Sequence, residues 1–402
     1  MQYPPHPTLH FSDLGLPPSK SRFGAITGSR SIVKFFNARA ALFHVFGQLK
    51  SAQRSRVLMP AFHCVSMVEP ALCAGLDVSY YRIDRQLQID AQDALTQAGK
   101  DVCAFVFVDF FGFPANVEGL LPELRRRGIA VIEDCSHSFL RCVPLGFAGG
   151  RGDFTVYSFA KLVPCGVGGG LRVRDGSFVT PALHRPAPGD SLVRSKRLLE
   201  QTILSADRRS LIRRAYVTLE SARVRRGSRA AQSRQAVDEV QHQLEKRDAT
   251  HDFGDLGFNV ARAGLRMPAL PRWILGAADL PGIAAARRRN YEVYSEILAA
   301  PGAPPSIYPQ LDEAVCPWAY PIIVKDRALH DQRLRGLGVP VWTFGDLLHP
   351  DLEQAATRAA FEDARYLSRQ VLCLPVYQGL PPEAVAGFAR TVAAAGLSTG
   401  AH

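Results

Sequence analysis

Residues 131–173 read VIEDCSHSFLRCVPLGFAGGRGDFTVYSFAKLVPCGVGGGLRV, and this stretch decides the fold. The apolar run Ala130 to Ile132 ends in Glu133 and Asp134. Such a run fits a strand buried on both faces, and acids at its C-terminal end lie where open α/β sheets bind ligands. Further on, Lys161 sits in SFAKLVP with no acid within several residues. A desolvated lysine has a lowered pKa and a usable neutral amine, the condition for forming a Schiff base with an aldehyde. Gly166, Gly168, Gly169 and Gly170 follow, and they would let the backbone pass close to a flat ring without Cβ collisions. Each feature alone has an ordinary explanation: an N-capping aspartate, a snorkelling surface lysine, a hairpin turn. Their combination points to a cofactor site.

A carboxylate at the position of Asp134 could hold a pyridine nitrogen protonated, which is what makes pyridoxal phosphate (PLP) an electron sink. The whole segment resembles the DegT-type PLP-dependent aminotransferases, which have the aspartate aminotransferase fold and mostly act on keto-sugars attached to nucleotides. Asp134, His137, Ser158, Phe159, Lys161, Gly166, Gly168 and Gly169 occupy the places of the family's motif residues. The chain departs from the pattern in three ways: His137 replaces Gln, two residues are missing between Ser158 and Lys161, and Val167 replaces a Glu between the glycines. The resemblance implies an α/β fold with a mostly parallel, seven-stranded-type sheet sandwiched by helices, and a smaller C-terminal α+β domain. It also implies Lys161 and Asp134 as the catalytic pair, with His137 and Ser158 among the cofactor ligands.

Outward from this stretch, IVKFFNARAALFHVFGQL becomes helical after Asn37, with Ala41, Leu42, Val45, Phe46 and Leu49 at helical spacing. Asn37 is a sound N-cap, so the first amides of the helix could face an anion. In the family the matching turn is Ser-Gly-Thr-Ala-Ala-Leu and holds the PLP phosphate, which makes Ala38 and Arg39 candidate ligands, Arg39 standing where the family has Thr. The next step, RVLMPAFHCVSMVEPALCAGLDVSYYRID, is a strand to Met59, a loop, a helix broken near Gly75 and a strand ending in Asp84. The family's corresponding loop covers one face of the cofactor ring. His63 and Cys64 fall there, and the choice among Phe62, His63 and Cys64 is open from sequence. A buried strand at Ala104 to Val108 and an amphipathic helix in VEGLLPELRRRG complete a series of strand-helix-strand steps, which argues a parallel sheet with right-handed crossovers.

Between residues 181 and 251 Arg and Ala rise and the text reads as two or three basic helices, where much of the formal net charge of +11 resides. A basic stripe could bind nucleic acid, but it carries no helix-turn-helix signature or interleaved aromatics, so a solvated or subunit-facing insertion is the expectation. GFNVARAGLRM then echoes the family's Gly-Tyr-Asn-Tyr-Arg-Met, with Gly257, Phe258 and Asn259 in place. In the family this Asn reaches the phosphate of the neighbouring subunit, which implies a homodimer with shared sites. A long helix in IAAARRRNYEVYSEIL, then strand, helix, closing strand and a last helix, make up the C-terminal part. The expected organisation is an N-terminal arm (1–25), a large PLP-binding domain (26–260) that includes the basic insertion, and a small domain (261–402).

The chain has 402 residues, 47% of them hydrophobic, enough for two such domains. No apolar run reaches the length of a membrane span, and the proline-rich N-terminus lacks the basic start and apolar core of a secretion signal, so a cytoplasmic protein is expected. The eight cysteines are scattered with no CxxC or Cys/His cluster, which argues against zinc and disulfides. The expected function is amino transfer from an amino acid to a carbonyl acceptor, a keto-sugar nucleotide by resemblance. The alternatives are a PLP enzyme of this fold acting on a non-sugar substrate, and a non-catalytic binding or regulatory relative.

Overall fold

A computed structural model of the chain describes residues 3–9, 32–175, 178–187, 203, 215, 257–355 and 357–397. The basic stretch therefore lies outside the described residues except for 181–187, 203 and 215.

Seven strands form the main sheet: β1 (Val33–Phe35), β2 (Arg56–Pro60), β3 (Asp77–Tyr81), β4 (Val102–Val108), β5 (Ala130–Asp134), β8 (Phe154–Ser158) and β9 (Gly169–Val173). A small hairpin, β6 (Leu140–Arg141) and β7 (Gly146–Phe147), lies between β5 and β8. The strand order is β1-β9-β8-β5-β4-β2-β3. The five strands from β8 to β3 run parallel, whereas at one edge β9 pairs antiparallel with β8, and β1 pairs antiparallel with β9 and so runs in the direction of the five. Every residue of β4, VCAFVFV, is buried, as the continuous apolar run of a central strand requires. The chain places β3 on one side of β2 and β4 on the other, so a topological switch point falls between β2 and β4, where open parallel sheets form a ligand crevice beyond their carboxyl ends.

Helix α1 (Ala38–Leu49) starts where Asn37 predicts: its side chain accepts the Ala40 amide at 2.9 Å. Ala40, Ala41, Leu42, Val45 and Phe46 form its buried face. Helices α2 (Val65–Cys73) and α3 (Ala91–Gln97) follow β2 and β3. The amphipathic stretch after β4 is helical over six residues only, α4 (Leu121–Arg126), because Pro122 occupies the first turn and Gly128, at φ +67°, ends it.

Helices α5 (Ala269–Ala277) and α6 (Leu280–Ile297) lead into a three-stranded antiparallel sheet of order β10-β12-β11, with β10 at Ala319–Ile323, β11 at Trp342–Thr343 and β12 at Val371–Pro375. Helices α7 (Arg327–Gly336), α8 (Glu362–Gln370) and α9 (Pro382–Ala394) accompany it. Residues 3–9 lie against this part: Tyr377 donates its hydroxyl to Pro4 O at 3.0 Å, and the rings of Tyr3 and Phe388 and of His6 and Trp342 are in contact.

The two sheets meet beside the switch point. The turn after β4 presses so closely on the strand leading into β10 that a Cβ on Gly112, at φ +105°, would lie 2.5 Å from Cys316 O. Glycine is the residue that admits both the approach and the dihedral. Its neighbour Phe111 is also left-handed, φ +56°, and its carbonyl accepts the Trp318 amide at 2.7 Å. A strained non-glycine residue held by contacts on both sides marks a turn that packing over-determines.

Candidate active site

The carboxyl ends of β2, β4, β5 and β8 converge on one cleft. Its walls are Ala38, Arg39 and Leu42 of α1, His63 to Met67 after β2 except Val65, Val108 and Phe110 of β4 and its turn, Asp134, Ser136 and His137 at the end of β5, Lys161, and Phe344 from beyond β11. Of the residues singled out in the sequence, Ala38, Arg39, His63, Cys64, Asp134, His137 and Lys161 are thus brought together.

Lys161 ends a short 3-10 turn, Phe159–Lys161, that follows β8 directly. Burial holds its amine below the ordinary lysine range, opposed by Cys64 and Asp134. The Nζ atom lies 4.8 Å from the centroid of the Trp318 ring. Asp134 ends β5, is buried, and accepts the Ser136 amide on Oδ1 at 2.8 Å. This turn contact fixes the carboxylate at the strand end.

His137 is buried and stacks on Trp318 with ring centroids 4.0 Å apart. The Phe111 amide donates to its Nδ1 at 3.2 Å, which puts the ring proton on Nε2. Burial, reinforced by Lys161, pushes its pKa well below the usual histidine value, so the ring is neutral. It can offer an Nε2–H donor and no positive charge.

The loop after β2 answers part of the choice left open above. Phe62 is fully buried and packs behind the wall residues Phe110 and Phe344 and against Gly345, and does not itself line the cleft. His63 stacks on Tyr80 at 5.1 Å. Its Nδ1 lies 3.0 Å from Ala61 O, and its Nε2 accepts the His349 amide at 3.2 Å. Both nitrogens are thereby engaged, and burial lowers the pKa to about 4. Cys64 stands at the N-terminal end of α2, 3.0 Å from Ser66 Oγ.

On the opposite wall, the first turn of α1 lies against β9. A Cβ on Gly169 would fall 2.2 Å from the Asn37 carbonyl carbon and 2.4 Å from the Ala38 nitrogen. Glycine at this place lets the strand back onto the helix N-terminus and set Ala38 and Arg39 at the cleft, where amides and the helix dipole favour an anion. Arg39 pairs with buried Glu69 at 3.1 Å, and Glu69 also accepts the Gly257 amide at 2.9 Å. Ser158 ends β8 opposite Gly169, outside the cleft walls. Asn259 is exposed and caps the 3-10 turn Val260–Arg262 through the Ala261 amide.

Sequence reasoning missed several participants. Trp318, Phe111 and Phe344 arrive from segments with no motif, and no sequence signal marks them. A buried ionic cluster also lies beneath the loops after β4 and β5. Arg151 bridges Asp109 and Glu133, Glu133 accepts the Gly150 and Arg151 amides, and Ser138 donates to Asp109. Cys135 completes a set of three ligand-type atoms with the two carboxylates. Both carboxylates are already held by Arg151, and the cluster ties the loop carrying His137 to the one carrying Phe110 and Phe111. Among the described residues, no helix is long and apolar enough to cross a membrane.

The cleft fits PLP on the chemistry of its own groups: an amine of lowered pKa for the aldehyde, a carboxylate for the ring nitrogen, and a helix N-terminus for the phosphate.

Comparison with known proteins bears on the family and the fold. Residues 20–203 match the model of the DegT/DnrJ/EryC1/StrS aminotransferase family. An L-glutamine:scyllo-inosose aminotransferase of Streptomyces griseus is 35% identical over 89 residues, 21% of either chain. A GDP-perosamine synthase of Escherichia coli O157:H7 is 23% identical over 156 residues, 38% of this chain and 43% of that one. The matches thus span less than half the length of these curated relatives. Over nearly the whole chain the fold is that of the aminotransferase TlmJ from Streptoalloteichus hindustanus (TM-score 0.63, 19% identity, 98% of this chain and 99% of that one). It is likewise that of Helicobacter pylori PseC, an aminotransferase of pseudoaminic acid biosynthesis (TM-score 0.61, 16% identity, 92% and 87%). The match to the DegT/DnrJ/EryC1/StrS aminotransferase family thus covers residues 20–203, somewhat under half of the chain, while the likeness in fold to solved aminotransferases extends over nearly all of it.

Proposed function

We propose that the protein is a PLP-dependent aminotransferase that moves an amino group from an amino acid donor to a carbonyl acceptor, and that the acceptor is a keto-sugar carried on a nucleotide. The observation that carries this reading is a lysine amine of lowered pKa sharing one cleft with the Asp134 carboxylate and a helix N-terminus. Bound there, PLP would supply the electron sink that lets an α-proton of the donor be removed. Lys161 would hold the aldehyde, and Asp134 the protonated ring nitrogen. The amides of Ala38 and Arg39 would hold the phosphate, with the Arg39 guanidinium adding positive charge beside it. His137, neutral and protonated on Nε2, would donate to an oxyanion on the ring edge. Ser158 is assigned to the phosphate end by its place in the motif.

With PLP bound, the Lys161 amine would be the base fixed at the reacting centre, placed to take the proton from the donor's α-carbon and to give it back on the acceptor's side of the transfer. Phe110, Phe344 and Met67 in the cleft walls exclude water from that transfer. The sugar-nucleotide acceptor is supported by the relatives: a third curated one, 26% identical over 148 residues, is a UDP-N-acetyl-3-dehydro-alpha-D-glucosamine 3-aminotransferase of Acidithiobacillus ferrooxidans.

The remaining assignments belong to the same reading. The active unit is a homodimer in the cytoplasm, Asn259 reaches the phosphate of the neighbouring site, and the division into an arm, a large domain (26–260) and a small domain (261–402) follows the family. The test is a half-reaction followed by absorbance. An amino acid donor should convert bound PLP to pyridoxamine phosphate, and a keto-sugar nucleotide should reverse it. Conversion by donors together with reversal only by simple keto acids would leave an aminotransferase and remove the sugar acceptor. No conversion with any donor would leave the non-catalytic relative.

A further inference from the structure

The turn that carries Lys161 stops after three residues, which leaves the carbonyls of Lys161 and Leu162 without a following helical turn to satisfy them. Two side chains from distant elements take that place. Arg287 of α6 donates to Lys161 O at 3.4 Å, and Gln378, beyond β12, donates to Leu162 O at 3.0 Å. The two are themselves joined, Arg287 Nε donating to Gln378 Oε1 at 3.2 Å. The remaining guanidinium arm donates to Pro317 O and Trp318 O, both at 3.2 Å.

Arg287 is 0% exposed, and all four of these acceptors are neutral. Burying a guanidinium without a carboxylate is costly, and burial pulls its pKa down to about 10. An apolar side chain would fill the space at less cost. What the planar fork adds is a rigid tie between three segments that no apolar residue could join. Two of them, the Lys161 turn and the Pro317–Trp318 strand entry, place the reactive amine over an indole ring that also stacks on His137.

We propose that Arg287 is a positioning residue for Lys161: with Gln378 it fixes the turn that carries the amine and locks it to Trp318, so the amine is held in the cleft before any cofactor arrives. The inference rests on Lys161 being the functional amine. The charged and titratable groups around Lys161 come from each packed element: Cys64 from the start of α2, Asp134 and His137 from the end of β5, Arg39 from α1, and Arg287 from behind the turn.

The experiment uses the full-length chain stripped of cofactor, so it is decided whether or not PLP binds. The chain is labelled with acetic anhydride over a range of pH, and Lys161 is quantified by peptide mass spectrometry with exposed Lys100 as the internal reference. In the unchanged chain the Lys161 midpoint lies below the ordinary lysine range. In R287M it rises by about one pH unit, a tenfold smaller neutral fraction at a given pH, as the amine leaves its fixed buried place. R287K keeps the charge without the fork and gives a smaller rise. Q378L keeps the guanidinium and its bonds to Lys161 O, Pro317 O and Trp318 O, frees Leu162 O and the Arg287 Nε–H, and also gives a rise. A merely structural role lowers the melting temperature and leaves the midpoint where it was. Unchanged midpoints in R287M and Q378L overturn the proposal, and if R287M does not fold, an unchanged midpoint in Q378L does so alone.

Discussion

Gly169→Ala is the sharpest test of how the cleft is built. Gly169 is fixed from two sides, by Phe35 of β1 and Ser158 of β8, and Asn37 is fixed by its own cap. An added methyl group would lie 2.2 to 2.4 Å from three backbone atoms of Asn37 and Ala38, none of which is the end of a flexible side chain. The strand and the helix start must therefore separate. Overpacking of this kind costs about 1–3 kcal/mol. On the proposed reading the same turn binds the phosphate, so a bound cofactor works against the separation and the strain returns as weaker binding. A strain of about 2 kcal/mol corresponds to roughly 30-fold in Kd if all of it is relieved in the cofactor-free chain. The control is Gly119→Ala, where an added Cβ meets nothing within 4 Å. It should change stability by no more than about 0.5 kcal/mol. Denaturant unfolding and PLP titration by fluorescence on both variants measure the two effects. If Gly169→Ala is as benign as Gly119→Ala in both assays, the packing argument is wrong.

Other outcomes follow from single groups. Asp134→Ala should retain some PLP and lose turnover, because an unprotonated pyridine is a poor electron sink; wild-type rates in that variant would remove Asp134 from the site. His63 has a folded pKa of about 4 against about 6.5 unfolded, so the unfolded chain binds more protons between these values. Its contribution is complete above the unfolded pKa and is lost as pH falls toward 4, by up to about 3 kcal/mol, and His63→Gln should flatten that acid limb in urea unfolding series. Asn259→Ala should raise the PLP dissociation constant without dissociating the dimer, whereas dilution to monomers that leaves affinity and turnover per chain unchanged would refute a shared site.

The parts of the site legible in the sequence were those where a residue contradicts its surroundings. Asp134 ends an apolar strand and Lys161 interrupts an apolar run, so both are costly unless used, and both line the cleft. Asn37 could be read as a cap because capping is local. The parallel sheet followed from apolar runs at βαβ spacing, and the structure bears this out with five parallel strands. What could not be read depends on contacts between distant segments. Arg287 meets Lys161 across 126 residues, and nothing in RRRNYEVY separates the buried Arg287 in character from half-buried Arg288 and exposed Arg289. Trp318 and Phe344 reach the cleft only because the turn at Gly112 lets the small sheet pack against the large one. The helix after β4 was read too long because periodicity outran the stop that Pro122 imposes on its first turn.

The central claim is that Lys161 is the amine that holds PLP. Borohydride reduction of the purified, PLP-loaded protein, followed by peptide mass spectrometry, tests it most directly. The account predicts one stable phosphopyridoxyl adduct, on Lys161, absent from Lys161→Ala, with loss of the visible absorbance band. An adduct on another lysine, or none despite bound PLP, would contradict it.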